Sequence, residues 1–147
     1  YHSINDDSWK NSSYKMIYDI NNLYDLRIVT DNIKSNHLQN GMFFVMKEDI
    51  FPTWEYVDNR EGCCISFKVP ASQLLDNWNS LFIKIITNEI FKDKSKIDEL
   101  NGFSISPKKE FNIIKLWLKN NTKNYEEFIN EYEPFFVKSK SMHKKHF

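Results

Sequence analysis

The sequence predicts an α+β fold in which helices pack on one face of an antiparallel sheet. Three observations lead there. Runs with strand character outnumber helical ones, the helical segments stand singly among them, and there is no regular β-α-β alternation of the kind that builds a parallel sheet. A sheet covered on one face leaves its other face free for a ligand.

The elements follow in chain order. Tyr14–Tyr18 alternates loosely and reads as a first strand. Asp19 is placed to cap a helix that carries Ile20, Leu23, Tyr24 and Ile28 on one face. Gly41 opens the strand Met42–Met46, and Cys63–Val69 alternates around Ile65, Phe67 and Val69. Ser72 can cap a second helix, the clearest of all, with Leu74, Leu75, Trp78, Leu81, Phe82, Ile85, Ile86 and Ile90 forming a wide apolar stripe. Gly102–Ser106 and Asn112–Leu118 are strands separated by the turn-like Pro107-Lys108-Lys109-Glu110. A short third helix is expected near Tyr125–Tyr132, and a last strand at Phe135–Val137. Residues 1–137 are expected to form a single domain, with 138–147 a basic, flexible tail.

Composition narrows the function classes. A chain of 147 residues is long enough for one sizeable core. Aromatics make up 16% of it, and four Trp in so short a chain ask for a reason beyond packing. Mean hydropathy is −0.59, and no apolar run approaches the roughly 20 residues of a membrane span. The first residues lack the form of a signal peptide, and since Tyr1 is not Met, an upstream segment is expected. Lys and Arg together equal Asp and Glu, 20 against 20, so contacts to nucleic acid are expected to be small and local. The two cysteines, Cys63 and Cys64, are adjacent and have no distant partner, which implies a reducing, intracellular setting, and a cytoplasmic location is expected. No Cys/His cluster has metal-ligand spacing. There is no Gly-rich phosphate loop, no G-x-S-x-G and no H-E-x-x-H, and a Cys–His nucleophile on Cys63 or Cys64 has no local support, so neither catalysis nor a cofactor is expected.

Trp54 lies in Pro52-Thr53-Trp54-Glu55, followed by Asn59 and Gly62, a polar loop. It either folds back on the domain edge or serves as a stacking platform for a flat ligand, with Glu55 beside it. Trp9 repeats the situation in Asn5-Asp6-Asp7-Ser8-Trp9-Lys10-Asn11. Two indoles in two polar loops can close on both faces of one ring. A methylated guanine is positively charged, so indole faces attract it by cation–π interaction as well as by stacking. Glu55 can then accept two parallel N–H bonds from one edge of that base. Trp78 reads as core. Trp117 is core or ligand-facing, and in the second case strand alternation puts Lys115 and Ile113 on its side. Lys108 and Lys109 either hold phosphates or form a solvated turn.

These pieces in this order resemble the translation initiation factor 4E family over nearly the whole chain. The most specific is Pro52-x-Trp54-Glu55-x-x-x-Asn59-x-x-Gly62, joined by Trp9 upstream, Trp78 in a helix and the interval from Gly102 to Trp117. The resemblance implies a curved antiparallel sheet with about three helices on its convex face and a cap pocket on the concave side. It implies that Trp9 and Trp54 sandwich the 7-methylguanine of capped mRNA, that Glu55 binds its Watson–Crick edge, and that Trp117 contacts the N7 methyl. Lys108 matches the first basic position of the family's phosphate loop; the later ones fall on Glu110 and Ile113, so Lys109 and Lys115 are the substitutes. The basic residue expected after the Trp54 loop is here Cys64.

The resemblance also implies a convex-face groove for a helical Tyr-x4-Leu-type peptide from a scaffold protein of the initiation factor 4G type. The matching positions are Tyr24, Asn79, Ser80 and Ile83, without the carboxylate the family offers after the second-helix Trp. That divergence, with an asparagine- and lysine-rich composition, suits a fast-evolving or viral member. The expected function is cap binding that recruits mRNA for translation. The alternative is a noncatalytic scaffold or decoy acting through the peptide groove, and a cap-hydrolysing enzyme lacks its metal-binding carboxylates.

Overall fold

Strand alternation sorts the side chains into two sets, one filling a core and one facing a concave surface. The computed structural model describes residues 1–147 and contains six strands: β1 (His2–Ser3), β2 (Gly41–Met46), β3 (Cys63–Pro70), β4 (Leu100–Pro107), β5 (Phe111–Leu118) and β6 (Ser141–Lys145). They form one antiparallel sheet in the order β1-β2-β4-β5-β3-β6. Three α-helices accompany it: α1 (Leu23–Asn32), α2 (Ser35–Asn40) and α3 (Leu74–Ile86). None is long and apolar enough to cross a membrane.

Cys63, Ile65, Phe67 and Val69 of β3, Phe103 and Ile105 of β4, and Ile114, Leu116 and Leu118 of β5 turn into one core. The helices supply Leu38 from α2 and Leu74, Trp78, Leu81 and Phe82 from α3. Trp78 packs against Phe103 with ring centroids 4.7 Å apart, and Phe82 meets the same ring at 5.1 Å. Such buried aromatic pairs add about 0.5–1.5 kcal/mol each beyond the area they bury. The opposite parity carries Phe44, Ser104, Lys115 and Trp117 to the other face of the sheet.

Several elements differ from the sequence expectation, each for a local reason. Helix α1 begins after Asn22, not Asp19, because the Asn22 side chain accepts from the backbone N–H of both Tyr24 and Asp25. Helix α3 has no side-chain cap: Ser72 sits inside a 3₁₀ turn, Ala71–Gln73, that leads into it. It stops at Ile86, followed by Asn88 in the left-handed region at φ 57°, and Ile90 packs into the core from beyond the helix. Helix α2 was not anticipated, since six residues with one buried side chain carry no readable periodicity. The expected third helix is a single 3₁₀ turn, Tyr125–Glu127, whose neighbours Ile129 and Tyr132 make isolated bridges to Phe91 and Phe136. The expected strands at Tyr14–Tyr18 and Phe135–Val137 are likewise reduced to isolated bridges, at Tyr14 and Phe136.

The basic C-terminal segment is the largest correction. Residues 138–147, expected as a flexible tail, run through a 3₁₀ turn (Lys138–Lys140) into β6, which pairs with β3 from Cys63↔Lys145 to Phe67↔Ser141. The backbone groups along β3 need partners on both sides, and β6 supplies those on the side away from β5. Lysine-rich composition concealed it because lysine is common on edge strands, where it discourages further pairing.

Asn112 sits on the core face of β5, buried, with neither its amide nitrogen nor its oxygen hydrogen-bonded. Asn112→Leu removes both unpartnered atoms at similar volume. It is expected to raise the unfolding free energy by about 1–3 kcal/mol, read as a higher urea midpoint at unchanged slope. A lower midpoint would mean that the amide is satisfied in solution.

Candidate functional site

The loop between β2 and β3 is built around one buried side chain. Asn59 is fully buried, and its carboxamide nitrogen donates to the carbonyls of Phe51 and Thr53 at 2.8 and 2.9 Å. Its oxygen accepts from the Asn101 carboxamide at 3.0 Å, and Asn101 also donates to Asp58 O at 2.7 Å. Both amide hydrogens of Asn59 are therefore spent on the two carbonyls that flank Pro52, the second of them belonging to the residue before Trp54. Gly62 closes the loop where a side chain has no room: a Cβ there would lie 2.0 Å from Leu118 O. The spacing Pro52-x-Trp54-Glu55-x-x-x-Asn59-x-x-Gly62 is thus the covalent form of one hydrogen-bonded loop.

Trp54 is backed by Lys144 of β6 and by His146, one residue beyond that strand. The His146 ring lies nearly parallel to it, at 9° with centroids 5.9 Å apart, and Lys144 Nζ is 4.0 Å from the Trp54 ring centroid. His146 is held on both sides, its Nδ1 2.6 Å from Asn59 O and its Nε2 3.0 Å from Cys64 Sγ. A carbonyl only accepts, so Nδ1 carries the hydrogen and Nε2 accepts from the thiol. Burial pushes the Cys64 thiol up to about 12. The Cys64–His146 pair is therefore a neutral structural contact and not a thiolate nucleophile. Neither cysteine is in a disulfide.

Trp9 is built in the same way from the other end of the chain. It stacks on His2 at 12° with centroids 4.4 Å apart. The His2 ring nitrogens lie 2.9 and 2.8 Å from the carbonyl oxygens of Ser3 and Ser8. Asp6 accepts from Ser8 N at 2.8 Å and tightens the loop that carries Trp9. The indole is still 58% exposed, so its second face is open.

Trp9 and Trp54 line one cavity of about 520 Å³ with Tyr14, Phe44, Glu55, Lys115 and Trp117. Its floor is Trp117, a buried side chain of the concave face and not of the core, whose Nε1 donates to Ser104 Oγ at 2.9 Å. Glu55 is exposed at the rim and enters no ion pair. Burial raises the Tyr14 hydroxyl above its usual range, and the Glu55 carboxylate adds to that. Burial lowers the Lys115 ammonium, and Lys108 and Lys144 push it the same way. Of the three lysines expected to hold phosphate, Lys115 lines the cavity, whereas Lys108 and Lys109 stand exposed in the β4–β5 turn. The arrangement can clamp a flat ring between indoles, read its edge with a carboxylate and meet an attached anion with an ammonium. Sequence reasoning missed Tyr14, Phe44, His2, His146 and Lys144. Register would have found Phe44, opposite Ser104, but strand pairing is not written in one strand.

A second, shallower depression of about 270 Å³ lies between α1 and α3, lined by Leu23, Leu26, Arg27, Thr30, Asn79 and Ile83 among others. Tyr24 stands beside it on α1, 73% exposed, and Ser80 is exposed on α3. The buried Asn79 Oδ1 has no hydrogen-bond partner.

Comparison with known protein families matches residues 2–143 to Eukaryotic initiation factor 4E. Among solved structures, eIF4E-3 of C. elegans in complex with the 4E-binding protein Mextli and a cap analog is 20% identical, with a TM-score of 0.71 over 85% of this chain and 71% of that one. The Ascaris suum eIF4E-3 complexed with the m2,2,7G cap is 19% identical, with a TM-score of 0.71 over 84% and 69%. The same Ascaris protein with the m7G cap is 17% identical, with a TM-score of 0.70 over 84% and 70%.

The site carries its own pH dependence. Burial holds His146 below its ordinary value of 6.5. The unfolded chain therefore takes up a proton before the folded one does, and the stability that His146 contributes is present above about pH 6.5 and lost as pH falls toward the folded-state value. Hydrogen exchange of β6 amides is expected to accelerate below pH 6.5 relative to β4, and His146→Gln to flatten that difference. An unchanged profile in the variant would assign the effect to another group.

Proposed function

The chain belongs to the eukaryotic initiation factor 4E family, and we propose that it binds the 7-methylguanosine 5′ cap of messenger RNA in the cavity lined by Trp9, Trp54 and Trp117. The observation that carries this reading is the pair of backed indoles. Trp9 has His2 against one face, Trp54 has His146 and Lys144 beside it, and both line the same cavity. A ring between them stacks on two surfaces already held in place, so little ordering is left for the ligand to bring about. Glu55 at the rim suits the guanine N1–H and exocyclic amine, and the positive charge of the methylated base strengthens those bonds. Lys115 is the cavity's own cation, and Lys108 and Lys109 in the β4–β5 turn are the further candidates for a longer phosphate chain. The relatives solved with an m7G cap and an m2,2,7G cap support the same class of ligand. In this reading the protein delivers capped mRNA to translation initiation and performs no chemistry on it.

On the opposite face, the depression between α1 and α3 fits a helical peptide. Its apolar walls are Leu23, Leu26 and Ile83, and Asn79 lies among them. A relative solved with a 4E-binding protein supports a partner of this kind. Asn79 and Ser80 bring no charge, and the nearby Arg27 and Asp31 pair with each other at 3.3 Å. A partner adapted to a neutral groove fits better than one that presents a cation to a carboxylate.

Titration with 7-methyl-GTP is expected to quench tryptophan fluorescence, with GTP far weaker. Trp9→Ala and Trp54→Ala each are expected to cost about 1–3 kcal/mol of affinity, and Glu55→Gln about 1.5–3 kcal/mol. Full affinity in both tryptophan variants would end the sandwich reading.

For the partner, a generic Tyr-x4-Leu peptide is expected to bind weakly, and Asn79→Glu or Ser80→Glu to improve it by restoring a carboxylate. Tight binding to the unaltered protein that Tyr24→Ala abolishes would refute the adapted groove.

A further inference from the structure

The concave face continues past the cavity across β5, β3 and β6, and register decides what it presents there. Ser66 and Lys68 share the face of Cys64 and stand opposite Lys115 and Ile113. Strand β6 adds Met142 and Lys144, opposite Ser66 and Cys64. Lys108 and Lys109 stand exposed in the β4–β5 turn beside Glu110, and Lys108 is close enough to act on the Lys115 ammonium. No Asp or Glu lies among the residues that these three strands direct to this face. In a chain with 20 basic and 20 acidic residues that is a segregation of charge. None of these five lysines enters an ion pair. Lys115 is partly buried with Lys108 and Lys144 as its charged neighbours. Ammonium groups gathered in this way repel one another until an anion joins them.

Flat apolar surface alternates with the charges. Lys68 Nζ lies 4.8 Å from the Phe111 ring centroid, Lys144 Nζ 4.0 Å from that of Trp54, and Met142 is exposed between them. Trp54 belongs to the cavity, so Phe111 and Met142 are the apolar surface left here; cations interleaved with such surface suit a single-stranded nucleic acid, whose phosphates meet the ammonium groups while its bases lie on the apolar patches. The strip is only two inter-strand steps wide, about 10 Å, which fits one strand and not a duplex. It is also continuous with the cavity through Lys115, which lines the one and belongs to the other.

We infer that this face is a track for the nucleotides of a single-stranded RNA that follow the base held between Trp9 and Trp54, with Lys68 and Lys144 on their phosphates. The inference rests on the cap-binding reading for the position of the first base and adds a binding site beyond it. Specificity in the track is for a flexible polyanion with stackable bases and not for a base sequence.

The test compares a cap analogue with a short capped oligoribonucleotide over a range of salt concentrations. The oligonucleotide is expected to bind several-fold tighter, with an extra salt slope of about 0.7 per phosphate contact. Lys68→Ala is expected to reduce that advantage and leave the affinity for the cap analogue unchanged. Lys144→Ala is expected to reduce it too, and Met142→Lys, which adds a cation to the track, to increase it. Equal affinity for the two ligands overturns the inference, as does an advantage that survives Lys68→Ala and Lys144→Ala together. An acidic peptide that displaces the oligonucleotide's extra contacts as well as RNA does would overturn it in favour of a protein partner. The two readings fail separately. If the cap analogue does not bind but an uncapped oligoribonucleotide does, and loses affinity in Lys68→Ala, the cap reading falls and the track stands; if no oligonucleotide binds, both fall.

Discussion

The hydrogen bond between two buried carboxamides, Asn101 to Asn59, is the constraint on which the site depends. Asn101 is available for it because of an irregularity in the sheet. Leu100 pairs with Leu118 and Gly102 with Trp117, so Asn101 is the extra residue of a bulge in β4. A bulge re-aims the side chain it carries, and here the side chain meets Asp58 and Asn59. Asn59 in turn fixes the carbonyls of Phe51 and Thr53, and its own carbonyl receives His146 Nδ1. One chain of polar contacts therefore joins the central strands, the Trp54 loop and the last strand. Buried amides of this kind are unfavourable when half satisfied and specific when complete, which explains why the polar residues of this loop are tied to fixed positions and not merely to a polar composition.

The sheet separates the packed core from the lining of the cavity by parity alone. In β5, Ile114, Leu116 and Leu118 belong to the core, while Lys115 and Trp117 belong to the concave side. A shift of one residue in register would exchange the two sets. The aromatic contacts of α3 on Phe103 hold one face of β4 in place, and the other face of the same strand carries Ser104, the hydrogen-bond acceptor of Trp117. Packing on the convex side thus fixes the floor of the cavity without any side chain of the helices reaching it.

The four central strands and the long amphipathic helix were legible in the sequence, because alternation and a stripe of eight apolar residues are local signals. The Trp54 loop was legible as a motif, although the reason for Asn59 was not, since its partner Asn101 lies 42 residues away. Trp117 could be narrowed only to two choices, which strand parity resolves once its neighbours are known. The C-terminal strand was hidden by its lysines, and with it went His146 and Lys144. Nothing local marks His2 or His146 as a backing for an indole: each looks like a terminal histidine in a polar segment, and only the pairing of β1 with β2 and of β6 with β3 brings them to Trp9 and Trp54.

Those two histidines bear on how an exposed indole can be kept ready. A side chain as large as tryptophan left in water buries itself wherever it can, and a collapsed platform binds nothing. Trp9 is more than half exposed, yet its loop is held by the contacts of His2 and Asp6, and its ring lies on an imidazole that is itself anchored to two carbonyls. Trp54 lies beside an imidazole anchored to a carbonyl and a thiol. In both cases a short edge strand brings the histidine, and the polar anchoring of that histidine turns a mobile apolar surface into a fixed one. The order is set during folding, so a flat ring that stacked on these indoles would not have to arrange them first.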